Sequence, residues 1–211
     1  MYFDKNSISN LEKIKRINLM NSITGIKPVL LVGTKSLDNI NNLAIFSSIV
    51  HISSKPPLIG FFLRTNKKIR RDTFENIIEQ NDFTLNHIPI SKIKPSHCTS
   101  IKFDKNISEF DTCGFSDHYI DNFTAPFVKE SYIKLGLVLK EVVIMNSTES
   151  KLIIGEVNHI LFSDKYLNED FSINLEKSQS ASINGLNHYY KNKKVISLPY
   201  ARKSNISEIL K

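Results

Sequence analysis

The chain has 211 residues, with 28 Lys and Arg against 21 Asp and Glu, a formal net charge of +7, and 41% hydrophobic residues. This composition is that of an ordinary globular protein and excludes the disordered class. Apolar runs such as 29–32 are far shorter than the ~20 residues of a membrane span, and the charged N-terminus lacks the apolar stretch of a secretory signal. We therefore expect one cytoplasmic domain over 1–211, with its core at about 20–200, a polar N-terminal helix or arm at 1–19 and no membrane contact.

The positive charge by itself fits a polyanionic partner, anionic small molecules or a solvated lysine-rich surface. The lysines are scattered along the chain, and no basic stripe is interleaved with aromatic residues. We favour the solvated surface and expect no nucleic-acid partner. The two cysteines, Cys98 and Cys113, lack the C-x-x-C spacing of a redox or zinc site and are expected to be reduced and structural.

The first third of the chain predicts one helix followed by strands. Leu11, Ile14, Ile17 and Met20 recur at helical spacing within 1–26. The apolar runs 27–34 and 40–53 then predict an antiparallel hairpin across the turn KSLDN. Pro56 and Pro57 interrupt the ladder before a further strand at 58–63.

The segment 70–81 has the strongest helix signal, with Asp72 as predicted N-cap and Glu75 at the capping-box position. A strand is predicted at 82–88, and 89–130 contains only short, ambiguous elements. The β-rich runs 132–145 and 151–163 predict a long hairpin across the polar loop NSTES, and a last short strand is expected at 195–199.

Several kinds of functional site are excluded by spacing. No two of the seven glycines lie closer than eight residues, so neither a dinucleotide-binding nor a P-loop glycine motif is present. The histidines show no H-x-H or H-E-x-x-H spacing, and no G-x-S-x-G elbow presents a serine. We therefore expect no metal site, and any nucleotide must be held by strands, hydroxyls and a helix start.

Two segments suit a planar, phosphorylated ligand. The segment 41–48 carries Asn42, the small Ala44 and the paired hydroxyls of Ser47 and Ser48, although a strand with polar residues facing water has the same pattern. The segment 70–73 places arginines and a threonine at a helix start, where free amides and the helix dipole favour a phosphate. An ordinary helix cap with solvated arginines is the alternative for this second segment.

The order and separation of these segments resembles the flavin reductase-like, FMN-binding split-barrel family. The matching stretches, in chain order, are Pro28, NLAIFS (42–47), Pro56-Pro57, RDT (71–73), NI (76–77), FTLN (83–86), EFDTCGF (109–115), APFVKES (125–131) and GEVNHILFSD (155–164). The resemblance implies a mainly β fold, a Greek-key split β-barrel of roughly six antiparallel strands with peripheral helices. It also implies a homodimer with FMN near the subunit interface.

The resemblance further implies which residues bind the cofactor. Arg71 and Thr73 are assigned to the phosphate, with Arg64 as a further contact and Asp72 in the same segment as the helix cap. The ribityl chain and ring system are assigned to Asn42, Leu43, Ala44, Ser47 and Ser48. His159 is the candidate catalytic residue near the nicotinamide position. It follows the G-E-V motif, whereas the family's histidine precedes it, and a packing role is the alternative.

The implied activity is hydride transfer from NAD(P)H to flavin, and then to a small-molecule electron acceptor such as free flavin or oxygen, or to a partner oxygenase. A flavin-dependent oxidase or monooxygenase acting on a small organic substrate is the alternative within flavoproteins. Two readings from other classes remain, an OB-like barrel that binds single-stranded nucleic acid and a barrel that has lost its flavin.

Overall fold

A seven-stranded antiparallel sheet forms the centre of the protein in the computed structural model, which describes residues 1–64 and 70–211. The strands are β1 (Lys27–Pro28), β2 (Leu30–Lys35), β3 (Asn41–Phe46), β4 (Ile49–Ser54), β5 (Pro57–Leu63), β6 (Asp82–His87), β7 (Asp117–His118), β8 (Phe127–Val128), β9 (Ile133–Ile144), β10 (Lys151–Phe162), β11 (Ala181–Asn184) and β12 (His188–Lys191). The helices are α1 (Lys5–Asn10), α2 (Lys13–Ser22), α3 (Asp72–Gln80), α4 (Ile93–Cys98), α5 (Glu109–Cys113) and α6 (Ile206–Ile209). Short 3-10 turns lie at Ile90–Lys92, Asp164–Tyr166 and Lys203–Asn205.

The sheet closes on itself along a seam between β3 and β4. Its strand order is β3-β2-β6-β9-β10-β5-β4, so two strands that are consecutive in the chain lie at opposite edges. Only Ser47 and Ser48 join these strands, which requires the two edges to approach each other. The carbonyl of Ser48 accepts a hydrogen bond of 3.1 Å from the Phe62 amide of β5. The fold is the predicted split barrel, with seven main strands instead of six.

Both faces of β2 are buried, because the side chains of this strand alternate between two apolar clusters. Leu30 and Val32 face the barrel interior, where Phe61 packs edge-on against Phe46 at 4.8 Å and against Phe83 at 5.8 Å between ring centroids. The other face of β2 carries the outer cluster, which includes Leu31, Leu43, Phe110 and Cys113 and is covered by α4 and α5. This double burial explains the continuous apolar run of β2.

Helix α3 begins differently from the sequence prediction. Arg71, with an extended backbone, is the N-cap, and Asp72 is the first helical residue, so the assignment of Asp72 as N-cap with a Glu75 capping box is wrong. The two carboxylates pair instead with Arg70, at 3.1 Å from Nε to Asp72 and 2.6 Å from Nη2 to Glu75. Asn81 ends the helix in a left-handed conformation (φ 64°).

The chain termini also depart from the prediction. The single N-terminal helix is two helices, α1 and α2, and Ile14 and Met20 remain exposed. The strand expected at 195–199 is absent from the described structure, and its residue Val195 is 94% exposed. A strand needs a neighbour for its backbone groups, and the last hairpin is instead formed by β11 and β12. Within the described residues, no helix has the length and apolar character needed to cross a membrane.

Candidate functional site

An open groove of about 290 Å³ lies at the seam of the barrel, between β3, the start of α3 and the segment 99–103. Its lining combines apolar, hydroxyl and cationic side chains from distant parts of the chain. They are Asn42, Ala44, Ile45, Phe46, Ser47, Ser48, Phe62, Leu63, Arg64, Arg70, Arg71, Asp72, Thr73, Thr99, Ser100, Ile101, Lys102, Phe103, Glu109 and Leu186. The structure thus brings together eight of the ten predicted site residues, while Leu43 and His159 lie outside the lining.

The start of α3 offers hydrogen-bond donors to the groove. The Arg71 carbonyl accepts from the amides of Phe74 and Glu75 at 3.0 and 3.1 Å, so the amides of Asp72 and Thr73 precede the first intrahelical bonds. These amides lie at the positive end of the helix dipole. Arg71 is exposed at the rim of the groove, whereas Thr73 is buried at its base. An anionic group here would meet amide, hydroxyl and guanidinium donors together.

A buried amide network holds the Thr73 hydroxyl in place. Asn42 Nδ2 donates to Thr73 Oγ1 and to Thr34 Oγ1, both at 3.1 Å, and Asn76 Nδ2 donates to Thr34 Oγ1 at 3.0 Å. Because Thr73 Oγ1 accepts from Asn42, its own proton is available to donate into the groove. Asn42 therefore acts on the groove through Thr73, in addition to lining it.

Strand β3 lines the groove and has a free outer edge, since β2 is its one neighbour among the described strands of the sheet. The Leu43 amide points to this outer edge and donates to Glu109 Oε2 at 3.0 Å. Alternate residues of a strand direct their backbone groups to the same edge, so the amide of Ile45 also faces outward. The side chain of Leu43 is fully buried in the outer cluster. Leu43 thus contributes to the strand's position, and its amide is already occupied.

Glu109 is a groove residue that the sequence analysis missed as a site residue. It is the first residue of α5 and is 9% exposed. Burial raises the pKa of this carboxyl, and the negative charge of Asp72 adds to that increase, while the hydrogen bond from Leu43 opposes it. The only signal in the sequence was the EFDTCGF stretch, because no local spacing relates position 109 to strand β3.

The wall opposite β3 was also missed. Residues 99–103 follow α4 and line the groove with Thr99, Ser100, Ile101, Lys102 and Phe103. Lys102 joins Arg64 and Arg71 as a cation on the lining, and Arg64 Nη2 donates to Asn21 Oδ1 of α2 at 2.6 Å. The wall residues 99–103 lie in the region 89–130, whose turn-rich sequence left its elements ambiguous.

His159 lies on β10, away from the residues that line the groove. It pairs with Gly136 of β9, and its ring packs edge-on against Phe123 at 5.2 Å between centroids. An added Cβ on Gly136 would lie 3.2 Å from two atoms of His159, which indicates tight packing on that side. The predicted catalytic role of His159 stays a prediction.

Comparisons with known proteins agree on one family. The model of the flavin reductase like domain matches residues 24–188. One solved structure is that of a candidate flavin reductase with a split barrel domain from Shewanella frigidimarina NCIMB 400. This chain is 36% identical to it, and the two structures superpose with a TM-score of 0.90 over 95% of this chain and 100% of that chain. Nitrilotriacetate monooxygenase component B from Bacillus cereus is 21% identical, with a TM-score of 0.83 over 94% of this chain and 98% of that chain.

An FMN-binding protein from Thermus thermophilus is more distant, at 16% identity and a TM-score of 0.69 over 83% of this chain and 91% of that chain. The likenesses to the Bacillus and Thermus proteins concern the fold. The relationship to the family rests on the match to the family model and on the likeness to the Shewanella protein, both of which extend over most of the chain.

Proposed function

Because the chain belongs to the flavin reductase-like family, we propose that it binds FMN in the seam groove and reduces this flavin with NAD(P)H. The observation that carries the proposal is the meeting of two features at the seam. The start of α3 supplies donors for a phosphate, and the outer edge of β3 supplies backbone groups beside a planar ring.

The donor set fits an FMN phosphate. Arg71 supplies a guanidinium, Thr73 a hydroxyl positioned by Asn42, and the helix start the amides of its first turn. Arg64 and Lys102 place further positive charge on the lining. Asp72 pairs with Arg70, which partly neutralises a carboxylate that would otherwise repel a phosphate.

The remaining lining suits a ring and its polyol chain. Ala44 leaves space beside β3, and the hydroxyls of Ser47 and Ser48 lie where the chain crosses the seam. Bound flavin would supply the redox chemistry, and the protein would supply position, hydrogen bonds and exclusion of water. No side chain of the groove is needed as a catalytic base for hydride transfer.

The nicotinamide is proposed to dock transiently against the open side of the groove, since the sequence has no dinucleotide-binding glycine motif. This mode predicts weak binding of the nicotinamide and a modest preference between NADH and NADPH.

We propose that His159 contacts the nicotinamide in an assembly where a second copy of the chain or a ligand brings that face of β10 to the flavin. His159→Ala should then lower turnover without lowering FMN affinity, whereas a packing role predicts a lower melting temperature and an unchanged rate.

We also propose a homodimer, with electrons passing to free flavin, oxygen or a partner oxygenase. The groove is open to solvent within one chain, and a second copy would cover a ring lying in it. We also propose a cytoplasmic location.

The test is reduction of bound flavin in a stopped-flow spectrometer. The full chain loaded with FMN is mixed anaerobically with NADH and, separately, with NADPH, and the flavin absorbance is followed. Bleaching by either nucleotide is the expected result. A protein that holds FMN but is reduced by neither nucleotide would refute the reductase activity and favour an oxidase or monooxygenase. A protein that does not bind FMN would refute the whole proposal.

A further inference from the structure

The two cysteines of the chain, Cys98 and Cys113, meet in the outer cluster although fourteen residues separate them in the sequence. Cys98 is the last residue of α4 and Cys113 the last residue of α5, and these helices pack together. Cys98 packs against the cluster that contains Cys113, close enough to the Cys113 thiol to contribute to its raised pKa. Cys98 is half-buried, whereas Cys113 is 8% exposed.

This thiol pair brackets one wall of the seam groove. Residues 99–103 and Glu109 line the groove, and all of them lie between the two cysteines in the chain. Phe103 also packs against the outer cluster, to which Cys113 belongs and against which Cys98 packs. A covalent link between Cys98 and Cys113 would therefore close the wall into a loop.

We propose that Cys98 and Cys113 form a reversible intramolecular disulfide when the protein meets hydrogen peroxide, and that this bond fastens the wall of the seam groove. The inference stands on the meeting of the two side chains and on the position of the wall between them. It does not require that flavin binds, although reoxidation of a flavin by oxygen would generate this oxidant beside the pair if the proposed function holds.

The reaction balances with peroxide as the only oxidant. The Cys98 thiolate attacks one peroxide oxygen, so that an S–O bond forms, the O–O bond breaks and hydroxide leaves as water after taking a proton. The Cys113 sulfur then attacks Cys98, so that the S–S bond forms, the S–O bond breaks and a second water leaves. Two thiols lose two electrons, and one peroxide becomes two waters.

The order of attack follows from exposure. Burial raises the pKa of the Cys113 thiol to about 12, and the neighbouring Cys98 and Glu109 add to this increase. The thiolate is the reactive form, so the more exposed Cys98 reacts first and Cys113 resolves it.

The test is peptide mapping of the full chain without flavin. Protein treated with peroxide is denatured in an alkylating agent and digested with trypsin, which places Cys98 in peptide 93–102 and Cys113 in peptide 106–129. The expected result is a linked pair of these peptides that separates on reduction. The oxidised protein should melt higher than the reduced protein by about 5 to 10 °C, as expected for closing a loop of this length in a chain of this size.

Cys98→Ala is the control variant, because Cys98 is the less buried of the two and its loss leaves Cys113 in the core. This variant should give no linked peptides and no rise in melting temperature after peroxide. Free thiols at both positions, further oxidation of Cys98 alone, or links only between separate chains would overturn the proposal. Failure of FMN to bind would refute the proposed function and leave the disulfide result unaffected.

Discussion

At the scale of single residues, Thr73 gives the most direct test of the phosphate assignment. Thr73→Val keeps the side-chain volume but removes the hydroxyl that Asn42 positions at the start of α3. A charge-assisted hydrogen bond contributes about 1.5 to 3 kcal/mol, so FMN affinity should fall about 10- to 100-fold. Riboflavin has no phosphate and should bind the variant and the native protein alike.

Fluorescence quenching of each flavin measures both affinities. Thr112→Val, at an exposed position of α5 outside the groove, is the matched control and should change neither. An equal loss for FMN and riboflavin would show that Thr73 acts on the ring or on the fold, and the phosphate assignment would be wrong.

Glu109 predicts a dependence of stability on pH. Its pKa in the folded protein is raised above 4.5 because the carboxyl is buried. The folded state therefore favours the protonated form, and the contribution of Glu109 to stability is lost as the pH rises from the unfolded value through the raised value. Glu109→Gln keeps an oxygen that can accept from the Leu43 amide but cannot ionise.

Thermal unfolding at a series of pH values checks this sign. The melting temperature of Glu109→Gln relative to the native protein should increase between pH 4.5 and neutral pH. Glu141→Gln, at an exposed position of β9, is the matched control for the loss of one carboxylate. A difference for Glu109→Gln that does not change with pH would contradict the burial of a charge at this site.

At the scale of the elements, β10 can pack closely against the barrel interior at position 155 because Gly155 has no side chain. A Cβ at this position would lie 2.5 and 2.8 Å from ring atoms of Phe83 and 3.0 Å from Leu137 Cβ. Gly155→Ala should therefore lower the free energy of unfolding by about 1 to 3 kcal/mol, as overpacking of a core does. Chemical denaturation measures the loss.

A second variant identifies the cause. In a Phe83→Leu background the aromatic ring is absent, so Gly155→Ala should cost less than it does in the native protein. Equal costs in both backgrounds would place the strain elsewhere, for example in the backbone of β10.

The elements that depend on local pattern could be predicted from sequence, and those that depend on a distant partner could not. The long hairpin of β9 and β10 and helix α3 follow from periodicity and turn chemistry. The run 40–53 is extended throughout, yet Ser47 and Ser48 divide it into strands at opposite edges of the sheet. The division arises because all seven strands pair into a closed barrel, which brings its two edges together at Ser47 and Ser48. The local sequence of 40–53 does not contain that information.

One side of the groove could also be predicted from local sequence, and the other side could not. Arg71, Thr73 and Ser47 could be identified because they lie beside a helix start or a strand end. Glu109 and Lys102 reach the groove from a turn-rich region, where no periodicity fixes the direction of a side chain. His159 was assigned by its place after a motif, and in the structure its ring packs against Phe123, so its predicted catalytic role stays a prediction.

At the scale of the whole molecule, the open groove and the C-terminal segment both predict association of two copies. Four apolar side chains within 195–200 are largely exposed, namely Val195, Ile196, Leu198 and Tyr200, and apolar groups clustered at a surface are typical of an interface between proteins. Light scattering should give about twice the chain mass of 24.1 kDa at low micromolar concentration. A mass near 24.1 kDa with flavin bound would contradict the dimer.

The hydrogen bond between Glu109 and Leu43 occupies one pairing position on the outer edge of β3. A strand with a free edge presents unpaired amides and carbonyls that can template the addition of another extended chain. Glu109 occupies the Leu43 amide on the outer edge of β3 and places a carboxylate where an incoming strand would need to pair. We therefore expect the seam to resist the pairing of strands that leads to fibrils, although its groove is open to solvent.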